Sequence, residues 1–525
     1  MNLHRLASTP DHLAVDLGKG ERPLAGSGVT VDTVADARGL RVIIAAPQAE
    51  PLSVRLRWHL RVPEGIRCLG DAWERGYGDL EWRGLVPERA MPWYMLIHDG
   101  AALHGVGVAT AANAFAFWQI DEAGITLVLD VRNGGMGVRL GARRLEAATV
   151  VVREGAPGED EFAAARAFCR ALCAAPRLPD HPVYGANDWY YAYGDNSDAG
   201  TRRDARVLAE LTAGLTNRPY AVIDGGWYGA TCCAGGPWRG NAKFPDMPAL
   251  ASDLTAMGVR PGLWVRPLLH QAGLPDAWTI QAPREKQKDE IVLDPSLPEV
   301  LAQTERMLRA VTGWGYRLIK HDFTTYDLVG QWGFAMRHRP TLDGWRPHDD
   351  ARTTAEIVLD LYRAIRRGAG DALIIGCNTI GHLSAGLFEL SRTGNDTSGL
   401  AWEATRRNGV NTLAMRMPQH GALHAVDADC VGLTSRVDWR LTRQWLDVLS
   451  RSGTPLFVSA DPAALGDEQR SALTRAYAIA SVARPVSRPL DWRNTSQPRR
   501  WRHADGDTTY DWQADGGAEA LCRWS

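Results

Sequence analysis

The sequence predicts a multidomain α/β protein: a central (β/α)8 TIM barrel, an N-terminal β-sandwich before it and a small C-terminal β-sheet after it. Three observations carry this. Residues 1–175 hold short alternating segments, residues 180–480 interleave apolar runs with amphipathic helical stretches, and beyond 480 the helical signal stops. At 525 residues the chain has room for two or three domains.

In the first part, "LRVIIAA", "SVRLRWHLRV", "GITLVLDVR" and "ATVVVRE" alternate with period two between Gly, Pro and Asp turns. That is the pattern of half-buried strands, and so many strands pack as a sandwich, expected over 1–175. "GEDEFAAARAFCRALCA" (158–174) has helical spacing and is expected as the exit helix, with "APRLPDHP" as linker.

The barrel strands are expected at "VYGANDW", "PYAVIDGGW", "RPGLWVRPL", "YRLIKHD", "DALIIGCN", "LFELSRTGND", "ALHAVDADCVGL" and "TPLFVSAD". Helices are expected at "TRRDARVLAELTAGL", "LPEVLAQTERMLRAVTG", "TTAEIVLDLYRAIRRG" and "VDWRLTRQWLDVLSRSG". Ser296-Leu297-Pro298-Glu299 reads as a capping box with Pro in the first turn. A strand–helix unit repeated over roughly 250–300 residues fits a (β/α)8 barrel. A doubly wound sheet would want a GxGxxG first turn, which this chain lacks. "RPLDWR", "RRWRHADGDTTYDWQ" and "AEALCRWS" are expected as closing strands of a C-terminal antiparallel domain, 481–525.

Formal net charge is -2, which gives no electrostatic reason for nucleic acid or an anionic membrane as partner. No apolar run approaches the ~20 residues of a membrane span, and "MNLHRLASTPDHLAVD" has no apolar h-region. The eight cysteines lack metal-ligand spacing and are expected as reduced thiols of a cytoplasmic protein. Cys232 and Cys233 are expected as free thiols in a loop, a vicinal disulfide being the alternative. The 20 Trp residues suit cores and sugar rings alike, since indole is a large flat apolar face with one donor.

A barrel carries its site at the C-terminal ends of its strands. Here those ends hold Asp188 and Trp189; Asp224, Trp227 and Tyr228; Trp264 and Arg266; Lys320 and Asp322; Asn378; Arg392 and Asp396; Asp427 and Asp429; and Asp461. Charged groups at buried strand ends cost free energy unless paired or used. Lys320 and Asp322, two apart, share a face. One such pair would be a structural salt bridge, but repetition at strand after strand points to a functional cluster. Asp322 beside a lysine is expected ionised, and Asp396, in a Gly-Asn-Asp-Thr loop, partly desolvated and protonated. An ionised carboxylate facing a protonated one is the glycosidase arrangement. No strand carries an HxH pair, and Asp427 with Asp429 makes a poor all-protein cation site, so no metal is expected. No GxSxG or Cys/His nucleophile signature stands in the chain.

At these residues the sequence resembles the clan D glycoside hydrolases, the α-galactosidase group of families 27 and 36. The likeness runs in order from about 183 to 461. "GANDW" resembles their first-strand motif ending in a sugar-stacking Trp, here Trp189, and "VIDGGWY" their Asp-Asp-x-Trp motif. "GLWVRP" is similar to their Gly-Leu-Trp-x-Glu-Pro, "LDPSLPEV" to the Leu-Asp-x-Thr-Asn-Pro-Glu-Val that follows, and "TPLFVSAD" to their eighth strand. "YRLIKHDF" resembles the nucleophile strand, implying Asp322 as nucleophile and Lys320 as a hydroxyl-binding partner. "SRTGNDTSG" has the Arg-x-x-x-Asp spacing of their acid/base loop, implying Asp396 as acid/base and Arg392 as a sugar ligand. An N-terminal sandwich is the family 36 plan, though this chain is short for it. "GDAWERGYGDLEW" (70–82), with Asp71 and Trp73, either leans over the barrel mouth as part of the subsite or is a surface loop.

The departures are Gly225 for the second aspartate, Arg266 for the third-strand glutamate, and Asn378 at a sugar-selecting position. The resemblance implies a retaining exo-glycoside hydrolase that needs no cofactor, with an α-galactoside as leading substrate. Trp189, Asp224, Trp227, Trp264, Arg266, Lys320, Asn378, Arg392, Asp71 and Trp73 would bind it. Its partner would be a small glycoside or oligosaccharide, not nucleic acid or membrane, and the resemblance allows a homo-oligomer. The rivals are a β-L-arabinopyranosidase, an α-N-acetylgalactosaminidase, an α-glucosidase or transglycosylase, and a catalytically silent carbohydrate-binding barrel.

Overall fold

Two six-stranded antiparallel sheets come first in the computed structural model, which describes residues 1–228, 238–270, 273–284 and 290–515. Cys232, Cys233 and the "AEALCRWS" segment lie outside the described residues. One sheet is centred on Ser53–His59 and Gly124–Asp130, the other on Gly39–Ala45, Arg144–Arg153 and Leu103–Val108. The period-two pattern decides what each face does. Val54, Leu56 and Trp58 are fully buried in the first core, while Arg55 and Arg57 between them face outward to carboxylates. The exit helix forms at Glu161–Leu172, capped by the Asp160 carboxylate, which accepts from the Ala163 N–H at 2.9 Å. Its Phe168 lies flat on Gly105, where a Cβ would stand 2.1 Å from the ring, so only glycine admits this approach.

The central sheet has nine strands, and every neighbouring pair is parallel. In spatial order they are Ala425–Asp427, Leu390–Arg392, Leu373–Gly376, Leu318–His321, Arg260–Val265, Tyr220–Ile223, Tyr184–Asn187, Leu456–Ala460 and Cys430–Leu433. The two edge strands are consecutive in the chain, with only Ala428 and Asp429 between them. Asp429 takes φ 71, and this left-handed turn divides the expected run "ALHAVDADCVGL" in two. All the other expected runs form single strands of this sheet.

Alternate residues build two cores. Tyr220, Val222, Leu318, Ile375, Leu390 and Phe457 pack together on one face. Ile223, Leu263, Ile319 and Ile374 pack on the other, against the helix residues Leu308, Ile357 and Ile365. Continuing the first rows two residues onward arrives at Asp224, Lys320, Cys377 and Arg392. The inner rows therefore deliver their polar residues to one end of the sheet.

Helices stand at each expected stretch: Asp198–Leu211, Pro298–Gly313, Thr354–Ala369 and Trp439–Ser452. Met247–Ala256 and Asp467–Ala480 are helices as well, and the sequence reading did not single them out. The expected capping box at Ser296 is not formed. Leu297 is the N-cap without a side-chain bond, and the Ser296 hydroxyl accepts instead from the Asp349 N–H at 3.1 Å. A capping box does form at Thr353 and Glu356. A three-stranded antiparallel sheet, Arg488–Pro489, Arg500–His503 and Gly506–Thr509, follows the last helix. Among the described residues no helix is long and apolar enough to cross a membrane.

Candidate active site

Asp322 follows the strand Leu318–His321 directly, and its backbone N–H still donates to the Val265 carbonyl at 3.0 Å. Its Oδ1 accepts from the Phe323 N–H at 2.8 Å and its Oδ2 from the Trp264 indole at 3.3 Å. Phe323 takes φ 64, turning the chain sharply away and leaving the carboxylate half-buried at the strand end. Lys320 does not pair with Asp322. Its Nζ donates to Asp224 Oδ2 at 2.6 Å, an oxygen that also accepts from Asn187 at 2.7 Å. Burial works against the Lys320 charge, but Asp224 outweighs it and holds the ammonium protonated. Behind Asp224 lies Asp188, which accepts from the Asp224 N–H at 2.8 Å and the Asn196 amide at 3.0 Å. Burial and the Asp224 charge push its carboxyl up to about 7.

On the far side of the inner row, Arg392 is buried, with both terminal nitrogens engaged and Nε without a hydrogen-bond partner among the described residues. It donates to Asp429 at 2.6 Å, to Asp396 at 2.9 Å, to the Tyr190 hydroxyl at 3.3 Å and to the Cys377 sulfur at 3.4 Å. Asp429 also accepts from Tyr190 and from Thr397. It is thus the counterion of Arg392, and no group of three or more potential metal ligands occurs among the described residues. Burial, then the Asp322 charge, pushes the Cys377 thiol up. In the strand register His321 pairs with Gly376, so Cys377 stands beside Asp322 on the neighbouring strand, while its sulfur accepts from Arg392 on the other side.

Asp396 is half exposed, and its Oδ1 accepts from Arg392 at 2.9 Å and from Arg75 at 3.3 Å. Desolvation raises its carboxyl, but Arg392, Arg75 and Lys320 together hold it below the usual carboxylate range. The expectation of a protonated Asp396 is corrected: it leaves out the second guanidinium, which comes from the N-terminal part of the chain.

Arg75 arrives on the 70–82 loop, which does lie against the site. Gly76 forms a parallel bridge with Gly394, its N–H donating to the Thr393 carbonyl at 2.9 Å and its carbonyl accepting from Asn395 at 2.8 Å. Arg416 ties the same loop down through Asp71 at 2.7 Å and the Glu74 carbonyl at 2.7 Å. Arg75 and Glu74 are the site residues that sequence reasoning missed. The dense charge of "DAWERGYGD" was the available signal, but which charge meets Asp396 is set by tertiary contact.

Several expected sugar ligands are committed within the protein. Asp71 is buried on Arg416, Trp93 and Gln419. Trp73 is buried against Phe115 and Phe117 and donates to the Arg337 carbonyl. Trp227 is buried and donates to the Trp264 carbonyl at 2.9 Å. Asn378 binds Glu74 and accepts from the Tyr326 N–H at 3.0 Å. Arg266 pairs with Asp327 and Glu290 and lies over the Phe323 ring at 4.2 Å, so its charge is spent behind the Asp322 turn. Trp189 remains part-exposed beside Tyr193, and a Cβ on Gly225 would stand 3.6 Å from its ring. Trp264 stacks on Tyr228 with centroids 5.3 Å apart.

No protein-family model matches the chain, and no curated protein sequence does. Its architecture, a parallel sheet with an N-terminal pair of antiparallel sheets, is similar in fold to solved α-galactosidases, among them members of family GH36. The α-galactosidase TtGalA of Thermus thermophilus, solved with p-nitrophenyl α-D-galactopyranoside, superposes with a TM-score of 0.62 at 20% identity, over 95% of this chain and 99% of that one. The GH36 α-galactosidase AgaA of Geobacillus stearothermophilus, solved with 1-deoxygalactonojirimycin, gives 0.61 at 16% identity, over 92% of this chain and 73% of that one. The galactosidase domain of the α-galactosidase–sucrose kinase AgaSK gives 0.52 at 15% identity, over 86% and 68%.

Proposed function

We propose that this chain is a retaining exo-glycoside hydrolase, with an α-galactoside as its leading substrate. What supports this reading is that Asp322 follows the strand beside Cys377, whose sulfur accepts from Arg392, and that Arg392 in turn holds Asp396, all at the strand ends of an α-galactosidase-like fold. In this reading the Asp322 carboxylate attacks the anomeric carbon while Asp396, ionised before substrate binds, takes a proton from solvent in the complex and gives it to the departing oxygen. Asp396 then takes a proton from water as that water cleaves the glycosyl–enzyme bond. Asp224, held by Lys320 and Asn187, reads a sugar hydroxyl, and Trp189 offers an apolar ring face. No cofactor has a part in these steps.

The reading also takes the nine strands as a closed barrel of residues 180–480, with the divided seventh strand as its seam, the 1–175 sandwich before it and 481–525 after it. Its compartment is the cytoplasm, supported by the free buried thiols Cys68, Cys169, Cys173, Cys377 and Cys430. Gly225 favours one second reading. It brings no side chain to the edge where a second carboxylate would bind a hydroxyl, so a pentopyranoside without the 6-hydroxyl, such as a β-L-arabinopyranoside, fits the same site. A panel of nitrophenyl glycosides decides. Turnover of the α-galactoside or β-L-arabinopyranoside supports the proposal, turnover of the α-glucoside or N-acetylgalactosaminide alone redirects the sugar, and inertness toward all refutes it.

A further inference from the structure

Arg75 is buried, yet it belongs neither to the central sheet nor to its loops. Its guanidinium is held from several sides. Glu74 lies 3.4 Å from Nε, and the rings of Tyr77 and Trp332 lie 6.0 and 5.7 Å from its carbon. Glu74 is itself fixed by Asn378, by the Tyr77 hydroxyl at 2.5 Å and by the Gly333 N–H at 3.2 Å. The backbone on either side is clamped by Arg416 and by the Gly76–Gly394 bridge. A side chain so constrained has little freedom to leave Asp396.

Its contact is also selective. Arg75 and Arg392 both reach Oδ1 of Asp396, while Oδ2 has no hydrogen-bond partner among the described residues. We propose that Arg75 is a positioning residue of the N-terminal domain that, with Arg392, caps Oδ1 of Asp396 and so assigns proton exchange to Oδ2. The inference rests on the acid/base role proposed above. Its consequence is a pH window set from outside the barrel. The charged groups around Asp396 are Arg392, Arg75 and Lys320, with Asp429 and Glu74 paired to the two guanidiniums and the Tyr190 hydroxyl neutral beside them. Removing the Arg75 charge leaves Asp396 with one fewer cation in contact. Its proton is then held to higher pH, because a nearby cation lowers a carboxyl by about 1–3 units.

The experiment measures the titration midpoint of Asp396 directly, by carboxyl ¹³C resonance in aspartate-labelled protein. The signal is assigned by its loss in Asp396→Asn. Arg75→Met and Arg75→Gln are each expected to raise the midpoint by about one unit or more, and Arg75→Lys to keep most of the wild-type value. An unchanged midpoint in either neutral variant that melts like wild type overturns the proposal. In turnover, the alkaline limb of kcat/KM on the α-galactoside moves up by the same amount. A loss of rate equal at every pH would mark a merely structural residue and likewise overturns it. If the wild type turns over no glycoside, the functional reading fails while the resonance titration still decides the role of Arg75.

Discussion

Two guanidiniums share one oxygen of Asp396, while Asp322 touches an indole and a backbone amide. The two carboxylates therefore answer differently to substitution. Asp322→Ala is expected to abolish turnover beyond the ~10²–10⁴ that a general acid contributes, with the fold intact by circular dichroism. Near wild-type kcat would remove Asp322 from the mechanism. Asp396→Asn is expected to lower kcat/KM on a disaccharide by that ~10²–10⁴ yet to lower it far less on a nitrophenyl glycoside, since this ratio reports the first step and an activated leaving group needs little proton assistance there. Equal losses of kcat/KM on both substrates would contradict an acid role. At this scale the sequence was readable where charge ended an apolar run, as at Lys320, Asp322 and Arg392. It was not readable where the partner is remote: nothing local shows that Lys320 meets Asp224, or that Arg75 meets Asp396.

The loop at 393–397 has no slack at its glycine. A Cβ on Gly394 would stand 1.9 Å from the Asn408 carbonyl oxygen, at the point where Gly76 bridges to it. Gly394→Ala is expected to cost about 1–3 kcal/mol in stability by denaturant titration, the usual range for overpacking. It should also lower kcat on the disaccharide by moving Asp396; unchanged stability and rate would mean the loop does not constrain it. Gly225 is the opposite case, since its added Cβ meets only ordinary contacts at 3.6 and 4.0 Å from Trp189 and Tyr228. Gly225→Asp is therefore expected to fold and to raise kcat/KM for the galactoside over the β-L-arabinopyranoside by about tenfold or more, as a restored hydroxyl contact does. No change in that ratio would place the 6-hydroxyl elsewhere.

Strands and strongly amphipathic helices were legible as elements. The divided strand at Asp429 was not, because a single left-handed residue leaves no trace in periodicity. Ser296-x-x-Glu299 has the letters of a capping box, but its hydroxyl had a better partner in Asp349.

Across the whole molecule, folding buries Asp188 beside Asp224. Its carboxyl rises to about 7 against 3.8 unperturbed, so the native state binds a proton there that the unfolded chain has released. That contribution is fully present below about pH 4 and is lost as pH rises through about 7. Asp188→Asn keeps an acceptor for the Asp224 N–H without the titratable charge. Its melting temperature relative to wild type is expected to be higher at pH 8 than at pH 5, and a pH-independent difference would deny the linkage.

The central claim is that the inner rows of the sheet and the N-terminal loop assemble a double-displacement site with Asp322 at the anomeric carbon. It is tested most directly by trapping the glycosyl–enzyme with a 5-fluoro-α-galactosyl fluoride and locating the added mass in a proteolytic digest. The account predicts one sugar per chain, on the peptide containing Asp322, and no labelling of Asp322→Ala. Label on another carboxylate, or none while the α-galactoside is being hydrolysed, would contradict it.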